Sequence, residues 1–168
     1  MKKKLWICAF IAVCTTSSVA ASISLKDDLG RRVELNQPAQ RIVTLAPSLT
    51  ELAFSVGAGE RVVGVSAHSD YPPQARSLPQ VSTAAGVSIE SIAALKPDLV
   101  LAWKDSVRRE DIKHIEAVGA AVFVAQSRNF EDVPRLMRAI GALAGEDGAA
   151  PAAQYEARLA KVRRDYAG

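Results

Sequence analysis

Residues able to carry out nucleophilic chemistry occur together in one short stretch of the chain. Ser66, His68 and Asp70 alternate with other residues, and these three types can supply a nucleophile, a general base and an acid that orients the base. A hydrolytic site is therefore one hypothesis for this stretch. Spacing alone does not define a triad, and His68 is equally compatible with a ligand contact or an ordinary loop position.

Motifs of other enzyme classes are missing from the sequence. It contains no GxxxxGK[ST] phosphate loop and no GxSxG elbow, and Gly57-Ala58-Gly59 followed by Gly64 does not match GxGxxG. His114 lies in a charged helical stretch, which favours a solvated position. Both cysteines, Cys8 and Cys14, fall in the first 21 residues, so a chain processed there has no thiol. We expect no cofactor, no metal site and no catalysis.

Two aromatic residues are candidates for ligand binding. Trp103 follows a predicted strand, where an indole either stacks on a ligand or closes the top of the core. Tyr71, in the segment SDYPP, either contacts a ligand or holds its proline-rich loop against the sheet.

The amino terminus has the order of a secretory signal peptide. Three lysines, Lys2 to Lys4, precede an apolar run from Leu5 to Val13, and small residues follow near Ala21. The run is about half the ~20 residues that span a bilayer. We predict a signal peptide over residues 1–21, favoured over a lipoprotein anchor at Cys14 because the preceding Val13 is bulky.

Charge gives no support for a nucleic acid or an anionic membrane surface as partner. The chain has 21 basic and 18 acidic residues, but three of the lysines lie in the predicted signal peptide. The remainder is balanced, so the basic character belongs to the targeting segment. We expect an exported monomer.

Strands and helices alternate along the rest of the chain. A hairpin is predicted over residues 22–35, followed by strands over 41–46, 61–66, 99–103 and 121–125. Ser48 or Thr50 is a candidate cap for the first helix, and Ser88 for a helix ending at Leu95. Further helices are predicted over 107–118, 129–143 and 152–166, with a loose joint at 145–150.

This alternation predicts an α/β fold, a Rossmann-like and mostly parallel sheet with helices on both faces. Such sheets bind ligands at the carboxyl ends of their strands. The segments expected there are 46–49, 67–71 and 103–105.

Two long segments resemble a known family. The segments RIVTLAPSLTELAFSVGAGERVVGVSAHSDYPPQA and VSTAAGVSIESIAALKPDLVLAW are similar to the amino-terminal lobe of periplasmic vitamin B12-binding proteins, over about Arg41 to Gly145. These proteins belong to the iron-siderophore, haem and cobalamin receptors of ABC importers. The resemblance implies two lobes joined by a long helix, and a corrinoid captured between them for delivery to a membrane permease.

The resemblance also implies roles for individual residues. Trp103 matches a ligand-contacting tryptophan, and Pro47 and Ser48 lie at the same cleft. Tyr71 and His68 are further candidate ligand contacts. Glu90, in SIESI, matches the acidic residue presented to the permease.

Two departures from the family leave more than one candidate for the identity of the ligand. His68 stands where the B12 receptors have a tyrosine, and Ala84 where they have a tryptophan. Imidazole binds iron and cobalt, so haem or an iron-siderophore is an alternative to cobalamin. We expect residues 22–145 to form the amino-terminal lobe and residues 146–168 to begin the interlobe helix, with the second lobe absent.

Overall fold

The computed structural model describes residues 22–83 and 86–166, and in these residues strands and helices alternate as the apolar pattern predicts. The strands are β1 (Ile23–Lys26), β2 (Arg32–Leu35), β3 (Ile42–Thr44), β4 (Val62–Ser66), β5 (Gln80–Thr83), β6 (Gly86–Val87), β7 (Leu99–Trp103) and β8 (Ala121–Ala125). The α-helices are α1 (Pro47–Ser55), α2 (Ile89–Leu95), α3 (Arg109–Ala117), α4 (Asp132–Ala144) and α5 (Ala149–Tyr166). The predicted signal peptide and Ala84 lie outside the described residues.

The main sheet has the strand order β6-β5-β4-β3-β7-β8 within the described residues. All neighbouring pairs are parallel except β5 and β6, which are antiparallel. This confirms the predicted mostly parallel α/β sheet. The carboxyl ends of β3, β4, β7 and β8 consequently meet at one edge, which is the usual ligand-binding edge of such sheets.

Alternation along the strands divides the core between the two faces of the sheet. In β7, Leu99 and Leu101 pack with α1 and α4, whereas Val100 and Ala102 pack with α2 and α3. Successive side chains of a strand point to opposite faces, so a run of apolar residues buries both. The expectation of helices on both faces is confirmed.

The predicted hairpin is present and is attached to the edge strand β8. The buried Asp27 carboxylate accepts hydrogen bonds from the guanidinium of Arg31 at 2.8 and 3.0 Å and from the backbone N–H of Val124 at 3.4 Å. The backbone N–H of Asp28 donates to the carbonyl of Val124 at 2.9 Å. The hairpin therefore covers the exposed edge of β8, which would otherwise present unpaired backbone groups.

Two local predictions were wrong, and two short strands were missed. Strands β5 and β6 were not predicted. Helix α1 begins at Pro47 after Ala46, rather than with a Ser48 or Thr50 cap, because proline at the first helical position needs no N–H partner. The joint before α5 is packed rather than loose: Gly148 lies against the backbone of Met137 and Arg138, and a Cβ atom there would come within 2.3 Å of the Met137 carbonyl oxygen.

Helix α5 begins at Ala149 and packs on α4 through its first turns. Ala152 is fully buried and Tyr155 is half-buried against the α1–α4 side of the core. Arg138 and Glu156 form an ion pair at 3.0 Å between the two helices. None of the helices in the described part of the chain is both long enough and apolar enough to cross a bilayer.

Candidate ligand-binding cleft

A groove of about 640 Å³ opens at the carboxyl edge of the sheet, and we refer to it as the cleft. Its volume falls within the ~300–1,000 Å³ of small-molecule sites. The cleft is lined by Ser48, Glu51, Leu52, Ser55, Tyr71, Trp103, Ser127, Arg128, Asn129, Phe130, Val133, Leu136, Met137 and Tyr155. The walls are mainly apolar and aromatic, with a few polar groups, which is the composition expected of a site for a large organic ligand.

Trp103 reaches the cleft because of its position in β7. It continues the series Leu99 and Leu101, whose side chains are fully buried on the same face of the sheet. As the last residue of the strand it is only half-buried and packs on the top of that core. The indole therefore closes the top of the core and also faces the cleft. Its two predicted roles, core packing and stacking on a ligand, are thus compatible.

Tyr71 also lines the cleft, from the loop after β4. It is 66% exposed, so its ring is not a packing element of the core. A row of hydroxyl groups holds the base of this loop: Thr50 lies 2.6 Å from Thr44 and 3.2 Å from Ser69. Ser69 in turn lies 3.1 Å from Ser66. This buried network joins the loop to β3 and α1.

Helix α1 contributes small and polar groups to the cleft. Ser48 and Glu51, one turn apart, both line it and are exposed. Pro47 is exposed and adjoins Ser48, but it is not among the lining residues. Of the predicted ligand contacts, the structure thus brings together Trp103, Tyr71 and Ser48.

Two aromatic residues of the cleft were missed in the sequence. Phe130, in the loop after β8, is 66% exposed and lines the cleft beside Trp103. Ligands were expected at the carboxyl ends of three predicted strands. The same criterion includes the loop with Phe130, because β8 ends at Ala125. Tyr155 of α5 had no comparable signal, since it reaches the cleft only through the packing of α5 on α4.

A carboxylate orders the loop that carries Phe130. Asp132 accepts a hydrogen bond from the backbone N–H of Arg128 at 2.8 Å. This bond, followed by one from the backbone of Asn129, holds the pKa of Asp132 below its ordinary value, although partial burial acts in the opposite direction. The hydrogen bond from Arg128 fixes the start of this loop against α4.

The structure gives no support to a Ser66–His68–Asp70 triad. Ser66 is buried and contacts Ser69, whereas His68 and Asp70 are exposed. Within residues 22–83 and 86–166, no hydrogen bond joins His68 to either partner, and His68 adopts a left-handed φ of 63°. His68 is not among the residues that line the cleft either.

Glu90 lies away from the cleft lining, exposed in the first turn of α2. Ser88 caps this helix as predicted, with its hydroxyl accepting from the backbone N–H of Ser91 at 3.2 Å. Ala84, the other position that departs from the family, has no structural account. Across the described residues, no group of three His, Cys, Asp or Glu side chains is arranged to hold a metal ion.

Known proteins share both sequence and fold with the chain. It is 35% identical to the vitamin B12-binding protein of Vibrio campbellii over 133 residues, which are 78% of this chain and 48% of that protein. The crystal structure of the periplasmic vitamin B12 binding protein BtuF of Vibrio cholerae aligns with a TM-score of 0.72 at 34% identity, over 78% of this chain and 52% of that one.

A haem-binding protein is a further structural neighbour. The periplasmic haem-binding protein RhuT of Roseiflexus aligns with a TM-score of 0.67 at 30% identity, over 75% of this chain and 49% of that one. The chain thus spans about half the length of these relatives. A family profile described as periplasmic binding protein matches residues 42–167. The chain therefore belongs to the periplasmic binding protein family.

Proposed function

We propose that this chain is the amino-terminal lobe of the solute-binding component of an ABC importer, and that it captures a corrinoid such as cobalamin without transforming it. The observation that carries the proposal is the cleft, in which the rings of Trp103, Tyr71 and Phe130 face one open groove. An exposed aromatic surface of this size suits a large planar ring system. The likeness to vitamin B12-binding proteins at 34–35% identity supports the corrinoid in particular.

The domain organisation belongs to the same proposal. Residues 1–21 are a signal peptide that directs export to the periplasm, residues 22–145 form the lobe, and residues 146–168 begin the helix that leads to a second lobe. The apolar character of residues 5–13 and the close packing of α5 on α4 support this division. A single lobe supplies only one wall of the site, so we expect weaker capture than by a protein with two lobes.

Haem is the second candidate ligand. The likeness to RhuT at 30% identity favours it, and so does an imidazole, His68, in the loop that also carries Tyr71. Imidazole is a common ligand of haem iron and can also bind cobalt. His68 is exposed and lies outside the cleft lining, so its participation requires the loop to turn toward the ligand.

Ligand titration of the protein purified from the periplasm of an expression host tests the proposal. After removal of residues 1–21, Trp103 is the only tryptophan, so its fluorescence reports on the cleft. Saturable quenching by cyanocobalamin, together with loss of binding by Trp103→Ala in equilibrium dialysis, is the expected result. Saturation by haem alone would assign the chain to the haem receptors instead. Absence of both quenching and binding with the two ligands would refute capture by this lobe.

The alternative of a hydrolase makes a different prediction. If Ser66, His68 and Asp70 formed a catalytic site, the protein would turn over activated esters, and His68→Ala would abolish that turnover. We expect no turnover above background from the parent protein, because Ser66 is buried and its hydroxyl contacts Ser69.

A further inference from the structure

A second, polar pocket adjoins the cleft and shares Arg128 with it. This side pocket of about 370 Å³ is lined by Asp28, Lys104, Gln126, Arg128, Asp132 and Arg135. It lies where β7 and β8 end, beside the strand end that carries Trp103. Three of its six residues are cations and two are carboxylates, so its walls have an excess of positive charge.

Both carboxylates of the side pocket already have partners. Asp28 forms an ion pair with Arg135 at 3.1 Å and accepts a hydrogen bond from the backbone N–H of Gln126 at 2.6 Å. Asp132 accepts the backbone N–H of Arg128. Arg135 is therefore paired directly with Asp28, while the charge of Asp132 acts on both Arg135 and Arg128.

The remaining two cations are not compensated in this way. Among the described residues, the ammonium group of Lys104 forms hydrogen bonds to two neutral oxygens, the carbonyl of Asp28 at 3.4 Å and the side-chain oxygen of Gln126 at 3.2 Å. The guanidinium of Arg128 forms no hydrogen bond or ion pair with any of the described residues, and it faces both the cleft and the side pocket. With three cations against two carboxylates, the side pocket at the mouth of an apolar cleft favours an anion.

We propose that Arg128 and Lys104 form an anion subsite, which binds a phosphodiester or carboxylate substituent of the ligand whose ring system lies against Trp103. The planar guanidinium of Arg128 presents two parallel N–H donors to such a group, and Lys104 adds a second positive charge. The identity of the complete ligand rests on the proposed function, whereas the binding of an anion by Arg128 and Lys104 does not.

Titration of the full chain with inorganic phosphate tests the subsite without any assumption about the ligand. The measurement is a ¹H–¹⁵N NMR spectrum that resolves the arginine Nε–H groups, recorded against sodium chloride of equal ionic strength so that screening is matched. We expect saturable shifts of the Arg128 Nε–H and of the Gln126 and Asn129 amides. Arg128→Gln or Lys104→Gln should weaken phosphate binding about tenfold, read from those amides.

Arg109→Gln is the matched control, because Arg109 is an exposed arginine that lies outside both the cleft and the side pocket. This variant should bind phosphate as the parent does. Shifts of equal size at Arg109 and Arg128, or unaltered phosphate binding by Arg128→Gln, would overturn the subsite.

Two pairs of ligands identify the anionic group. Cyanocobalamin is compared with cobinamide, which lacks the phosphodiester, and haem with its dimethyl ester, which lacks the carboxylates. A preference for the member that carries the anionic group, lost in Arg128→Gln, supports the subsite and identifies that group as the phosphodiester or the carboxylates. Equal affinity within both pairs would overturn it. If all four compounds fail to bind, the proposed function fails, and the phosphate titration alone decides on the subsite.

Discussion

The aromatic residues that line the cleft differ in how far they are exposed. Trp103 and Tyr155 are half-buried, so their rings are held by the core, whereas Tyr71 and Phe130 are both 66% exposed. A large exposed aromatic ring becomes buried only when a ligand or another molecule covers it. The exposed pair is therefore expected to contribute to binding rather than to stability.

Phe130→Ala separates these two contributions. We expect the affinity for the bound ligand to fall about tenfold, since truncation of a well-packed aromatic contact costs more than ~1 kcal/mol. The midpoint of thermal unfolding should stay within about 1 °C of the parent, because exposed substitutions are usually within ±0.5 kcal/mol. Val118→Ala, at an exposed apolar residue outside the cleft, is the control and should change neither quantity. A marked loss of stability in Phe130→Ala would contradict a binding role.

At the scale of single elements, helix ends are held by specific contacts. The carboxylate of Asp111, in the first turn of α3, accepts the backbone N–H of Arg108 at 3.3 Å and two guanidinium N–H groups of the same residue at 2.8 and 2.9 Å. The side-chain hydrogen bond from Arg108 is the main reason that the pKa of Asp111 lies below its ordinary value, and burial opposes it. The guanidinium of Arg108 is exposed, so solvent screens its ion pair with Asp111. Most of the stabilisation of the folded state therefore comes from the buried carboxylate at the start of the helix.

Asp111→Asn should make this contribution visible as a dependence on pH. A carboxyl whose pKa is lower in the folded than in the unfolded chain adds stability above its unfolded pKa, and this stability is lost as the pH falls through the folded pKa. The variant should therefore unfold more easily by about 1 kcal/mol at pH 5–7. The difference should shrink below about pH 4, where aspartate begins to be protonated in the unfolded chain. Urea unfolding of both proteins across this range is the measurement, and a constant difference down to pH 2 would contradict it.

The contact between α4 and α5 depends on two glycines. A Cβ atom at Gly148 would lie 2.3 Å from the carbonyl oxygen of Met137, and one at Gly141 would lie 2.5 Å from the backbone nitrogen of Gly148. Both obstacles are backbone atoms, which cannot rotate out of the way.

Gly148→Ala should lower the free energy of unfolding by about 1–3 kcal/mol, as overpacking of a closely packed site usually does. Urea unfolding measures the loss, and Ala149→Ser, at the exposed neighbouring residue, should be almost neutral. Equal stability of Gly148→Ala and the parent would show that the two helices can separate slightly without cost.

For the whole molecule, the proposed ligand capture and the docking predicted for Glu90 involve different surfaces. The cleft lies at the carboxyl edge of the sheet, whereas Glu90 is exposed on α2, which packs on the other face of the sheet from α1 and α4. A charged residue outside the cleft is available to a partner without disturbing a ligand. This separation suits a protein that delivers its ligand to a permease.

Glu90→Arg should weaken co-purification with the cognate permease and leave ligand affinity unchanged, because reversal of a rim charge at an interface mainly affects association with the partner. Glu110→Arg is a matched control: Glu110 is also exposed in the first turn of a helix, α3. Equal retention of both variants by the permease would count against docking through Glu90.

The sequence alone determined the alternating α/β order, because apolar runs such as Leu99 to Trp103 bury both faces of a strand in any packing. It also determined the resemblance to the periplasmic receptors and three cleft residues, Trp103, Tyr71 and Ser48. Strands β5 and β6 escaped prediction because β6 has only two residues and exists by pairing with β5. Such pairing is a property of distant segments rather than of local composition.

Only the tertiary structure decided which side chains share the cleft. Phe130 and Tyr155 lie 27 and 52 residues beyond Trp103, and they meet it because β8 pairs with β7 and α5 packs on α4. The tertiary structure likewise separated Ser66 from His68, since a left-handed backbone turns the histidine outward while the serine stays buried. Only the tertiary contacts show that, within the described residues, Arg128 and Lys104 form no direct ion pair while Asp28 pairs with Arg135. Contacts between distant residues depend on packing, and local sequence does not encode packing directly.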